Sequence, residues 1–175
     1  MEKPILNIAD ARFEPRPAQY APKGPAAERY GAKMAAVGQQ LGAQRLGYNI
    51  TAIEPGKRAF PLHNHRENEE MFFVLAGAGE IHIGEDRFAV KPGDIIACPP
   101  GGPEMAHQIV NTGNEELRFL AVSTRISPEI CDYPRTGSFG VLAQYRDAQS
   151  PAAKGGAIYM FKGKPQNSED YWQGE

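Results

Sequence analysis

From residue 44 onward the apolar positions fall in short runs separated by Gly-, Pro-, Asn- and Asp-containing turns, the spacing of β-strands and not of amphipathic helices. Residues 44–53 alternate, placing Leu46, Tyr48, Ile50 and Ala52 on one face, and E54-P-G closes the strand with a turn. After the extended P61-L-H-N-H comes an apolar strand at 71–76. G77-A-G-E turns into 80–83 and G84-E-D into 87–90, the pattern of hairpins. K91-P-G-D leads to a strand at 95–98, P99-P-G-G-P makes a rigid loop, and N111-T-G-N-E-E separates strands at 107–110 and 117–123. An earlier strand is expected at 34–37, after a single helical turn around E28-R-Y-G. Beyond Ser123 the pattern weakens. Residues 125–140 read as loop, punctuated by S127-P and Y133-P, 141–145 as strand or short helix, 154–156 as a turn and 157–161 as a last strand.

The flanks differ from the middle. Pro15, Pro17, Pro22 and Pro25 break up residues 1–32. This stretch reads as an N-terminal arm whose Ile5, Leu6, Ile8, Phe13 and Tyr20 anchor it on the domain or on a partner. Residues 162–175 form a polar C-terminal tail carrying Tyr171 and Trp172, a pair expected to dock. Between them, residues 33–161 make one domain. Many short antiparallel strands predict an all-β sandwich or closed barrel. No G-x-G-x-x-G follows a strand, so a dinucleotide fold has no support.

Composition narrows the picture further. Glycine (19) and proline (15) are abundant, as expected of short elements joined by defined turns. Lys and Arg total 19 against 21 Asp and Glu, too balanced for a nucleic-acid footprint. No apolar run is long enough to span a membrane. Two cysteines, Cys98 and Cys131, do not make a disulfide framework, and Cys98 reads as a small buried hydrophobe. The start M-E-K-P-I-L-N has no apolar h-region, so the expected location is cytoplasmic.

The candidate chemistry lies in the histidines. His63 and His65 are two apart, so in an extended strand their imidazoles share a face. Glu70 opens the next strand after a short polar connection, and His107 opens a later one. Three imidazoles and a carboxylate suit a divalent transition metal such as Mn, Fe, Zn, Ni or Co, with open positions for water or substrate. H-x-H alone is a weak signal, and Glu70 and His107 at compatible places strengthen it. His82 is expected to face solvent or to sit beside a ligand without ligating. Tyr48, Phe60, Phe72, Phe73, Met105 and Phe119 read as core or as pocket wall, and Glu69 as surface or as a residue that steadies a ligand. Arg58 reads as a solvated turn charge or as a contact for a substrate carboxylate.

Two segments resemble the cupin superfamily. G56-K-R-A-F-P-L-H63-N-H65-R-E-N-E-E70-M-F-F-V-L-A-G77 is similar to its first motif, and G93-D-I-I-A-C-P-P-G-G-P-E-M-A-H107-Q-I-V-N111 to its second. The resemblance implies a double-stranded β-helix, a jelly-roll barrel, holding one divalent metal ion per chain on His63, His65, Glu70 and His107. The spacing from Glu70 to Gly77 selects Glu70 over Glu69, as does strand alternation. The chain departs from the pattern in one extra residue between Gly56 and His63, and in the longer step G102-P-E-M-A before His107.

The resemblance implies a metalloenzyme acting on a small oxygen-rich metabolite, of isomerase or epimerase, decarboxylase or dioxygenase type. The alternative is a non-catalytic binding or sensing protein. A small-molecule ligand and a homodimer are expected. The candidate acid–base groups are Glu69, His82 or a tyrosine.

Overall fold

The computed structural model describes residues 4–145 and 157–174. In chain order the strands are β1 (Glu14–Pro15), β2 (Ala32–Ala35), β3 (Leu46–Ile53), β4 (Asn64–His65), β5 (Glu70–Ala76), β6 (Gly79–Ile83), β7 (Asp86–Val90), β8 (Ile95–Cys98), β9 (His107–Val110), β10 (Leu117–Thr124), β11 (Glu129–Tyr133), β12 (Ser138–Tyr145) and β13 (Ala157–Gly163). Two short helices, α1 (Pro25–Arg29) and α2 (Val37–Gln40), precede β3. The expected turn at 154–156 lies outside the described residues.

Six strands form one antiparallel sheet in the order β1-β2-β3-β10-β5-β8. Facing it are a three-stranded sheet, β7-β6-β9, and a four-stranded sheet, β13-β12-β11-β4. The segment leading into β4 stitches these two together. Asn111 N–H donates to the Lys57 carbonyl (2.9 Å), and His63 and His107 exchange backbone hydrogen bonds of 3.3 and 2.8 Å. The result is a double-stranded β-helix, the expected jelly-roll barrel.

Strand alternation sorts the side chains into two layers. Ile53, Phe72, Val74, Ile81, Ile96, Ile109, Leu117 and Phe119 meet in the barrel interior, with the Phe72 and Phe119 rings edge-on at 5.5 Å. Cys98 joins this core, and burial pushes its thiol up to about 12. The opposite face of the large sheet carries Ile50, Tyr48, Leu75 and Leu120. The N-terminal arm covers it with Leu6, Ala11 and Phe13. The arm also supplies β1, which pairs with β2.

Three local expectations are corrected. The strand expected at 34–37 occupies Ala32–Ala35, and the chain then turns through α2. Gly38 in that helix touches the backbone of β3, since a Cβ there would stand 2.9 Å from the Tyr48 carbonyl oxygen. Residues 125–140, expected as loop, contain β11 and the start of β12. The two prolines that suggested loop flank β11, while Glu129, Cys131 and Tyr133 alternate toward the site. The aromatic pair of the tail is exposed, Tyr171 and Trp172 packing edge-on against each other at 4.8 Å.

Candidate metal centre

Three elements bring the four candidate ligands together. Alternation along the extended segment entering β4 directs His63 and His65 inward, while Asn64 between them points the other way. Asn64 is fully buried, and its amide donates to the Gly101 carbonyl (2.8 Å) and to Asp132 (3.0 Å). Glu70 opens β5 with its carboxylate on the face of Phe72 and Val74. His107 opens β9, paired directly with His63.

The lengthened loop before His107 is held at both ends. Gly101 N–H donates to the His65 carbonyl (2.9 Å), and Gly84 N–H donates to the Ala106 carbonyl (2.7 Å). Between them Pro103–Met105 makes one 3-10 turn. Met105 packs on Gly101 so closely that a Cβ there would lie 2.6 Å from its Cγ. The extra residues are thus folded away, and His107 faces the other ligands.

One donor atom each from His63, His65, Glu70 and His107 lies within 4.8 Å of every other. The outer ring nitrogens explain which atoms face in. His63 Nδ1 is 2.8 Å from the Pro61 carbonyl oxygen, and His107 Nδ1 is 3.2 Å from that of Met105. A carbonyl only accepts, so each Nδ1 carries hydrogen and each Nε2 can keep its lone pair inward. His65 turns Nδ1 toward the Cys131 sulfur (3.3 Å) and Glu129 (3.8 Å). Its Nε2 is buried without a hydrogen-bond partner, although Glu70 Oε2 is 3.3 Å away. His107 Nε2 is 3.0 Å from the same oxygen. A nitrogen lone pair and a carboxylate at that distance repel unless a proton or a cation lies between them. Orphaned Nε2 and converging carboxylate fit a bound cation, and three nitrogens with one oxygen suit a borderline divalent metal.

The electrostatics follow from the same contacts. Burial and the charge of His107 push His63 down to about 4. Burial also disfavours charge on His65, but the Cys131 thiol and the Glu70 carboxylate outweigh it and raise it to about 10. Burial would raise Glu70, yet the His107 and His65 rings against its carboxylate, at 3.0 and 3.3 Å, hold it well below the usual carboxylate range.

The other expected site residues divide. Phe72 lies 5.7 Å from the His107 ring and Phe60 lies 6.3 Å from the His63 ring, with the Arg16 guanidinium 4.5 Å over Phe60. Met105 meets the centre through its carbonyl. Tyr48 sits in the outer layer under the arm. Arg58 pairs with Val110, three residues along β9 from His107 and so roughly 10 Å away. Glu69 is exposed, with its N–H on Thr124 Oγ1 (3.0 Å). His82 is buried on the outer face of β6 and contacts Glu80 at 3.1 Å.

Two neighbours escaped the sequence reading, both on β11. Glu129 is buried and its carboxylate accepts from the backbone N–H of Arg66 (3.0 Å) and Asn68 (2.8 Å), and from the Asn68 side chain. It thereby grips the connection between His65 and Glu70. Tyr133 stacks on His63, centroids 6.2 Å apart, and burial raises its phenol. The only available signal was the alternation E129-I-C-D-Y133.

Comparison with known proteins agrees with this geometry. Residues 49–123 match the family model described as "Cupin domain". Over this stretch the barrel is a cupin domain. It is 38% identical over 70 residues to an oxalate-binding protein of Thermotoga maritima, covering 40% of this chain and 54% of that one. It is 32% identical over 99 residues to a glucose-6-phosphate isomerase of Pyrococcus horikoshii, covering 50% and 51%. The chain thus spans about half the length of these curated relatives. A solved structure titled as a cupin-superfamily sugar phosphate isomerase from Silicibacter pomeroyi superposes with a TM-score of 0.73 at 24% identity, covering 94% of this chain and 95% of that one. At that identity the likeness concerns the fold. No helix among the described residues is long and apolar enough to cross a membrane.

Proposed function

We propose that this cupin is a metalloenzyme that isomerises or cleaves a small oxygen-rich metabolite at a divalent ion held by His63, His65, Glu70 and His107. The observation carrying this reading is the convergence of His65 Nε2, which has no hydrogen-bond partner, and His107 Nε2 on one Glu70 oxygen, with the outer nitrogens of His63 and His107 tethered to carbonyls. A bound ion would supply Lewis acidity toward substrate oxygens. The protein's own share is to orient the imidazoles and to exclude water with Phe60 and Phe72. Of the acid–base groups expected from the sequence, Glu69 and His82 point away, so Tyr133 is the candidate proton carrier. Its raised phenol stays protonated at neutral pH and suits a general acid. The likeness to a glucose-6-phosphate isomerase supports an isomerase.

The likeness to an oxalate-binding protein favours a second reading, a carrier that holds its ligand without turnover. Elemental analysis of purified protein tests the centre. Near-stoichiometric metal in the wild type, lost in both His63→Ala and His107→Ala, is expected, and unchanged content in both variants removes the assignment. Turnover abolished by Tyr133→Phe with metal content intact separates enzyme from carrier.

A further inference from the structure

Between the inner faces of β3 and β10 on one side and β11 and β12 on the other lies a cavity of about 260 Å³. Gly47, Ser123, Arg125, Cys131, Leu142 and Gln144 line it, and His65 forms its wall toward the ligand cluster. Most polar groups here are already engaged. Thr124 Oγ1 donates to Asn68 Oδ1 (2.8 Å), and the Asn68 amide donates to the Ile126 carbonyl (3.1 Å) and to Glu129. Ser127 Oγ bridges the backbone N–H and carbonyl of Gln144 at 2.7 and 3.1 Å. The Glu129 charge is met by the N–H groups of the 66–68 segment.

Arg125 is different. Its guanidinium donates to Gln144 Oε1 (3.1 Å), a neutral acceptor, and its backbone N–H is fixed on the Arg45 carbonyl (3.0 Å). Among the described residues neither Arg125 nor Arg45 forms an ion pair, whereas Arg66 and Arg118 pair with Asp132 and Glu116. A planar fork with uncommitted N–H groups at the edge of a cavity matches a carboxylate or a phosphate. The Glu129 carboxylate also lines the cavity, 3.8 Å from His65 Nδ1, but its oxygens already accept from the N–H groups of Arg66 and Asn68. The volume lies below the range of drug-sized ligand sites, about 300–1,000 Å³, so the occupant is a small metabolite.

We infer that this cavity is the substrate pocket and that Arg125 makes it selective for small anionic metabolites, receiving their carboxylate or phosphate. The inference deepens the metal-centre reading and rests on it for the word substrate, but the anion site itself stands on Arg125 and the cavity. Isothermal titration of the full chain with malonate and with inorganic phosphate tests it, on metal-free and metal-loaded protein. Wild type binds at least one of the two in both states, and the stronger of the two identifies the acid group. Arg125→Gln, which keeps a polar group at the cavity edge, weakens that binding by about tenfold or more, as expected for a lost charge-assisted contact. Arg125→Lys recovers part of it, and Arg118→Gln at the far end of β10 binds like wild type. Equal affinity in Arg125→Gln, or no binding of either anion in either state, overturns the inference. Binding confined to the metal-loaded form and lost in His107→Ala also overturns it, by assigning the anion to the metal. If the chain takes up no metal yet binds anions through Arg125, the pocket stands and the metal reading falls.

Discussion

Removing the Glu129 carboxylate should loosen the candidate metal centre from behind. In Glu129→Ala, Arg66 N–H keeps its bond to the Ile130 carbonyl (2.9 Å), and Glu67 N–H, held at only 3.4 Å, is exposed enough to turn to water. Asn68 has no such exit. It is buried, and both its backbone N–H and one amide hydrogen lose their acceptor. Two stranded donors at about 1–3 kcal/mol each, less the relief of not burying a carboxylate, give a loss of about 3 kcal/mol. Against a typical domain stability of about 5–15 kcal/mol this is large. It should lower the melting temperature by roughly 6–12 °C. Glu129→Gln retains one acceptor oxygen and should lose about half as much. Because the gripped segment joins His65 to Glu70, and Glu129 lies 3.8 Å from His65 Nδ1, metal affinity should also fall by about 10–100-fold. Urea unfolding of metal-free protein measures the first quantity, and competition with a chromophoric chelator the second. A Glu129→Ala protein within about 1 kcal/mol and twofold of wild type on these two measures would refute the clasp.

Further predictions address protons, the phenol and assembly. His63 titrates in the folded chain at about 4, below its ordinary value, so metal-free stability should rise with pH from about 4 to about 6.5. His65 titrates at about 10, so its contribution is complete below about 6.5 and fades as pH climbs toward 10. A thermal-melt series should therefore peak near pH 6.5, and a curve rising steadily to pH 9 contradicts this. Loading metal at pH 7 should release a proton from His65, visible as a calorimetric enthalpy that varies with buffer, and no such variation argues against the displacement. Tyr133→Phe should keep metal content and fold, and if the protein is an enzyme should lower kcat by about 10²–10⁴; an unchanged kcat moves the acid elsewhere. We propose a homodimer, because the edge strand β13 exposes Tyr159, Met160 and Phe161. Light scattering that finds only a monomer removes that proposal.

Much of the barrel was legible in the chain because its information is local. Alternating apolar residues mark β3 and β5 to β10, and turn residues separate them. Gly77, for example, has φ +77° at a point where a Cβ would lie 2.5 Å from the Glu116 carbonyl oxygen. Local pattern also placed His63 and His65 on one face and chose Glu70 over Glu69. What alternation cannot say is which face becomes the interior. The face of β3 bearing Leu46, Tyr48, Ile50 and Ala52 is the more apolar of the two, yet the arm covers it and the barrel receives Asn49, Thr51 and Ile53 instead. Only long-range packing decides this, because either face of a strand can be buried if something covers it.

The candidate centre divides along the same line. The sequence by itself determined the kinds of ligand, their spacing and the strands that carry them, since period-two geometry needs only neighbours. Tertiary structure decided the rest. Pairing of His63 with His107 brings residues forty-four positions apart into register. Folding of the 101–106 loop onto His65 and Gly84 keeps His107 facing its partners. The return of β11 beside β4 sets Cys131, Glu129 and Tyr133 around the imidazoles. Each of these depends on backbone hydrogen bonds between distant segments, and β11 lies between prolines in a stretch that reads as loop. A ligand set can be read from the chain, while the groups that orient it, and the arginine-edged cavity beside it, exist only once the second sheet has closed over the first.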